Sequence, residues 1–147
     1  MNLTDDEICG VADRVWSNLF GLPVCVDPAG EGPIAEPVTG WLHFSGEVPG
    51  ALFVAMPMVF AKQLSGLLFG MDASSPSTLE VSDVVAELTN ILGGNLKGAL
   101  SGIRTMSLPE VRYGDFSIAD LLPGAEVQSR VSMRCAGEAL TITYFVR

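Results

Sequence analysis

The sequence predicts an α+β fold of one domain, an antiparallel sheet covered by helices, with one long helix that carries the most distinctive residues. Three observations predict it. Periodicity along the chain runs helical at the start, alternating over two central segments, helical over the next two and alternating again at the end. No linker or low-complexity run interrupts residues 1–147, so they form a single domain. Apolar residues make up 48% of the chain and charged residues 17%, which excludes intrinsic disorder and supplies a core.

Each element has a local reason. Thr4 caps a first helix, Asp5, Asp6 and Glu7 suit its first turn, and Ile8, Val11, Val15 and Leu19 recur at helical spacing until Gly21-Leu22-Pro23 stops it. Asp27 to Pro33 is a turn-rich connection. Val38 to Phe44 and Gly50 to Met56 read as a hairpin joined by Ser45 to Pro49. Pro57 suits the first position of a second helix that runs to about Phe69-Gly70. A polar loop over Asp72 to Ser77 leads into the long helix, expected from about Thr78 to Ser101. Ser107 to Tyr113 follows, then a connection through Pro123-Gly124, and two alternating strands, Glu126 to Cys135 and Ala139 to Val146, turn at Gly137-Glu138.

Composition removes several function classes. The longest apolar run, Ala51 to Ala61, contains Pro57 and falls far short of the roughly 20 residues that cross a bilayer. The positive mean hydropathy of the chain then points to an unusually buried chain that also buries surface in an oligomer or against a partner. A net charge of −9, with eight scattered Lys and Arg, excludes nucleic acid and an anionic membrane surface as partners. Cys9, Cys25 and Cys135 have no metal-ligand spacing, and the acidic N-terminus has none of the features of a signal peptide, so free packing thiols in a cytoplasmic protein are expected. His43 stands alone on an alternating strand, without the Cys, His or carboxylate cluster of a metal or nucleophile site, and reads as structural. Methionines such as Met56, Met58 and Met71 read as core or interface filler.

The long helix asks for more. At about 100° per residue, Val84, Val85, Leu88, Leu92, Leu96 and Ala99 fall on one side. Asp83, Glu87, Asn90, Gly94 and Lys97 fall on the other, with Gly98 beside them, and Glu87 and Asn90 at i, i+3 are surface neighbours. A solvated polar face explains such a stripe until the glycines are weighed. Each costs a helix about 1 kcal/mol relative to Ala, and this one holds Gly93, Gly94 and Gly98. We read them as flattening the outer surface for close approach of a partner. A carboxamide donates and accepts hydrogen bonds and can orient a water, as a glutamine does in GTPases, but is too weak a base to deprotonate it. A carboxylate can anchor a cation. The pair suits a site that another molecule mostly supplies.

Asp83-x-x-x-Glu87-x-x-Asn90-Ile91-x-x-Gly94-Asn95-x-Lys97 resembles the signature helix of the CheC/CheX/FliY chemotaxis phosphatases. Gly40 to Gly46 with Gly50-Ala51-Leu52 is similar to the family's hairpin, Pro57 to Gly70 to its next helix, and Ser107 to Val111 to its post-helix strand. One Glu-x-x-Asn element and a compact size make the chain closer to CheX than to CheC. The resemblance implies hydrolysis of the aspartyl phosphate of a CheY-like response-regulator receiver domain. It implies that Asn90 enters the receiver's site to orient water, that Glu87 contacts the receiver's lysine, and that Mg²⁺ belongs to the receiver, with no cofactor or metal intrinsic to this chain. Asp83, Gly94, Lys97 and Gly98 then surround the pair as a docking surface, although a helix N-terminal carboxylate is the simpler account of Asp83. A homodimer is implied, in agreement with the apolar surplus. The first helix presents Asp13 and Trp16 at the spacing of the pair, so no second active site is expected there. The alternative is a noncatalytic docking module of the same superfamily, which would have no physical need for Glu87 and Asn90.

Overall fold

Alternation and helical periodicity sort the apolar residues onto the two sides of one sheet. The structure is a computed structural model and describes residues 3–27, 32–70, 77–100 and 102–147. Three helices, α1 (Asp5–Phe20), α2 (Met58–Phe69) and α3 (Thr78–Lys97), cover one face of a seven-stranded sheet. Its strands are β1 (Cys25–Val26), β2 (Pro37–Gly46), β3 (Gly50–Pro57), β4 (Ile103–Met106), β5 (Glu110–Tyr113), β6 (Glu126–Cys135) and β7 (Glu138–Val146). They lie in the order β1-β6-β7-β3-β2, with the outer edge of β2 shared by β4 and β5, and every pairing is antiparallel. The expected α+β class is the observed one.

A period of two decides which residues meet the helices. Val38, Leu42 and Phe44 of β2, Leu52, Val54 and Met56 of β3, and Leu140, Ile142 and Tyr144 of β7 point into the main core. Trp41, Phe53 and Phe145 point the other way, under the short helix α4 (Ile118–Leu121), and form a smaller cluster with Leu122 and Phe116. His43 shares that outer face and meets Trp41 edge-on at 4.8 Å.

Helix ends follow their caps. Thr4 accepts from the Glu7 N–H, and Gly21 ends α1 in the left-handed region at φ 66°. Ser77 and Glu80 make a capping box on α3: Ser77 Oγ accepts from the Glu80 N–H at 3.2 Å, and Glu80 Oε1 accepts from the Ser77 N–H at 3.2 Å. Ser77→Ala is therefore expected to cost about 1 kcal/mol, read as a lower urea midpoint at unchanged slope.

Several expectations need correction. Pro57 precedes α2 rather than opening it: its ψ of 146° keeps it extended, as the last rung of β3 opposite Pro37. Helix α3 ends at Lys97, not near Ser101, because the chain tightens, with Ala99 donating to the Leu96 carbonyl and Leu100 to that of Lys97. Ala99, assigned to the buried side, is consequently exposed. The stretch expected over 107–113 is a strand only from Glu110 onward: β5 follows residues 107–109, which connect it to a further strand, β4, that the sequence reading did not place. Cys25 lies exposed in β1, a two-residue strand too short to show periodicity, and is not a packing residue. Cys9 is partly buried and Cys135 buried; burial pushes both thiols above their ordinary range. The loop expected over 72–77, apart from Ser77, lies outside the described residues, as do Met71 and residues 28–31 of the first connection.

Candidate functional site

Helix α3 is positioned by close contact with β2. Gly40 of β2 lies under Thr89, so close that a Cβ at Gly40 would stand 2.0 Å from Thr89 Oγ1 and 3.0 Å from Val85 Cγ1. Gly93 on the helix meets β2 in the same way, since a Cβ there would lie 2.8 Å from both Leu42 Cδ2 and Met106 Sδ. Gly93 therefore serves helix-to-sheet packing and does not flatten the outer surface. Gly94 fits the outward assignment: it is exposed, with open space where a Cβ would stand. Thr89 satisfies its buried hydroxyl within the helix, donating to the Val85 carbonyl at 2.7 Å.

With Val81, Val84, Val85, Leu88, Leu92 and Leu96 buried against the sheet, Asp83, Glu87 and Asn90 stand exposed on the opposite side of α3. Neither Glu87 nor Asn90 has a side-chain hydrogen bond or ion pair among the described residues. Both face a shallow groove of about 650 Å³, which Asp83 and Ala86 also line. Its walls are apolar: Leu68 and Phe69 from the end of α2 on one side, Leu108 and Pro109 from the β4–β5 connection on the other. Leu108 is 86% exposed and Phe69 45%, so these large side chains border the polar pair without a cover of their own.

The Leu108 wall has a backbone cause. Trp41 pairs with Glu110 and Phe44 with Met106, so residues 42 and 43 of β2 face three residues, 107–109. The extra residue makes the edge bulge outward. Ser107 pins the first residue of the bulge to His43 twice: its Oγ accepts from the His43 N–H at 2.8 Å, and its own N–H donates to the His43 carbonyl at 2.8 Å. Sequence reasoning placed 107–111 as a strand and missed this wall, along with Phe69. An apolar residue before a proline, Leu108-Pro109, is the trace such a wall leaves in sequence.

The remaining docking candidates separate from the groove. Gly94 and Lys97 continue along α3 toward its C-terminal end, Gly98 follows its last residue, and none of the three lines the groove. Lys97 is half-buried, and the Asn95 carboxamide is engaged by the Ile91 carbonyl at 2.8 Å. On α1, Trp16 is fully buried and Asp13 accepts from the Val24 N–H at 3.3 Å, so that helix presents no equivalent pair.

Chemically the groove offers a hydrogen-bonding carboxamide, two carboxylates and apolar walls. No His or Cys lines it, and among the described residues no group of three His, Cys, Asp or Glu side chains could hold a metal ion. It can orient and anchor; it brings no nucleophile of its own.

Solved structures define the class by fold. The chain is similar to chemotaxis protein CheX from Vibrio vulnificus, at 15% identity over 97% of this chain and 95% of that one, with a TM-score of 0.78. A CheX from Borrelia burgdorferi, solved in a complex with CheY, BeF3 and Mg²⁺, matches at 18% identity over 95% of each chain with a TM-score of 0.70. FliY from Thermotoga maritima matches at 13% identity, over 95% of this chain and 83% of that one, with a TM-score of 0.66. No curated protein matches the sequence. The family model for chemotaxis phosphatase CheX matches residues 38–122, from β2 through α4 and more than half of the chain; the chain belongs to the CheX family.

Proposed function

We propose that this protein hydrolyses the aspartyl phosphate of a CheY-like receiver domain, with Asn90 orienting the attacking water and Glu87 anchoring the receiver's active-site lysine. The observation that carries the reading is the placement of Glu87 and Asn90 together, exposed and unpaired, in an apolar-walled groove on a chain of the CheX family. The groove lacks a nucleophile, which suits a site completed by its substrate. Water attacks phosphorus in line, the receiver's aspartate carboxylate departs, and inorganic phosphate leaves. The receiver supplies Mg²⁺ to balance charge on the phosphoryl oxygens. Asn90 accepts a hydrogen bond from the water through its carbonyl and so fixes the direction of approach without taking the proton.

Apolar walls fit docking of a folded partner, because an exposed Leu108 and Phe69 gain only when another surface covers them. Under this reading the protein works in the cytoplasm and as a homodimer. Val59 and Leu67 of α2 and Val26 of β1 are exposed apolar side chains, which supports the homodimer reading. No helix among the described residues is long and apolar enough to cross a membrane.

The deciding experiment times phosphate loss from phosphorylated receiver domains of the same organism, with and without the protein. Acceleration of at least one receiver is the expected result, and no effect on any of them would leave the noncatalytic docking role. In that assay Glu87→Ala is expected to raise the receiver concentration needed for half-maximal rate about tenfold, the loss of one charge-assisted contact. An unchanged concentration dependence would remove Glu87 from docking.

A further inference from the structure

The sheet face turned away from α1, α2 and α3 holds a second cavity, of about 540 Å³, that phosphate transfer leaves unused. Segment 114–125 covers one part of this face; over the rest the alternating outward residues are small. Thr39 of β2, Ala55 of β3, and Thr141 and Thr143 of β7 make its floor. Aromatic side chains close one end, with Phe53 stacked near Phe116 at 6.1 Å and meeting Phe145 edge-on at 5.2 Å.

A strand irregularity places the charge. The β6 register shifts between Val127 and Ser129, so Val127 and Arg130 both line the cavity although strict alternation would part them. Arg130 is the one Lys or Arg among the lining residues and has no ion pair among the described residues. Thr39 and Thr143, both buried residues, add their hydroxyls to the floor. The lone acidic lining residue, Asp115, follows β5, a strand four spacings or roughly 19 Å across the sheet from β6. The cavity therefore combines a cation at Arg130, a floor of small side chains and an apolar aromatic end.

We propose that this cavity binds a small amphipathic anion, its flat apolar body on Ala55 and Phe53 and its carboxylate, sulfonate or phosphate at Arg130. The volume lies in the usual range of small-molecule sites, roughly 300–1,000 Å³, and an aromatic end beside a few polar groups is the kind of lining such sites have. A second copy of the chain is a poorer occupant. A two-fold contact on this face would have to bring a projecting element of one copy into the cavity of the other, whereas a small anion needs only the cavity and Arg130.

The test uses the full chain and 8-anilinonaphthalene-1-sulfonate as probe, with decanoate as competitor. Expected are one saturable site, displacement by decanoate, binding weakened about tenfold in Arg130→Gln and abolished in Ala55→Trp, and no change in Lys62→Gln, which alters a cation outside the cavity. Unsaturable binding, or equal affinity in Arg130→Gln and the unsubstituted protein, overturns the proposal. So does a sedimentation profile in which Ala55→Trp splits a dimer that excludes the probe. Arg130 is exposed, so Arg130→Gln keeps the fold and decides the matter if Ala55→Trp does not fold. Receiver dephosphorylation plays no part in the readout, so this proposal and the phosphatase reading stand or fall separately.

Discussion

Asn90→Ala is expected to abolish accelerated dephosphorylation of the receiver while leaving the protein folded and still able to bind it. Asn90 is exposed and makes no side-chain hydrogen bond among the described residues, so its truncation should change stability by no more than about 0.5 kcal/mol. Its proposed work lies wholly in the transition state, where a misdirected water loses the in-line geometry. Removing one pre-positioned hydrogen-bonding group typically lowers a rate constant about 10²–10³-fold, or ~3–4 kcal/mol. The loss should appear in the maximal rate and not in the receiver concentration that gives half of it, the reverse of Glu87→Ala. Asn90→Asp should fail as well, since a carboxylate there adds negative charge beside a phosphoryl group. A maximal rate in Asn90→Ala within threefold of the unsubstituted protein would falsify the proposed role of Asn90.

How far this site was legible in the sequence depends on the length scale of each feature. The outward turn of Asp83, Glu87 and Asn90 follows from helical geometry, because one stripe of valines and leucines fixes which side is buried. The main strands followed from alternation and the cap of α1 from Thr4, each set within a few residues. The misreadings at the groove and its supporting helix concern contacts between distant segments. Gly93 and Gly94 are indistinguishable as letters, yet one meets Leu42 and Met106 while the other meets nothing. Leu108 becomes a groove wall only because Ser107 is pinned to His43, a contact across 64 positions. Likewise α4 and β1 are too short for a period to register, and they exist because the sheet offers them a surface or an edge.

Those long-range contacts set the second large effect, which falls on stability. Gly40→Ala is expected to destabilise the protein by about 3–4 kcal/mol, from overpacking together with loss of a buried hydrogen bond. A new Cβ would stand 2.0 Å from Thr89 Oγ1 and 3.1 Å from Thr89 Cβ. Thr89 cannot simply rotate. Its β-branched side chain is stiff within a helix, its residue is fully buried, and turning the hydroxyl away would break its bond to the Val85 carbonyl. Helix α3 would have to lift from β2, and since Asn90 adjoins Thr89, the lift would also displace the residue assigned to water. Thr89→Ala removes the hydroxyl with its need for a partner and should cost only about 1–2 kcal/mol. Combined with Gly40→Ala it should restore at least about 1.5 kcal/mol relative to the sum of the single changes, the signature of two residues sharing one space. Rescue should stay incomplete, because Val85 Cγ1 would still lie 3.0 Å from the added carbon. Additive effects in this cycle, measured by urea denaturation, would mean that α3 is not held at the spacing that places Glu87 and Asn90.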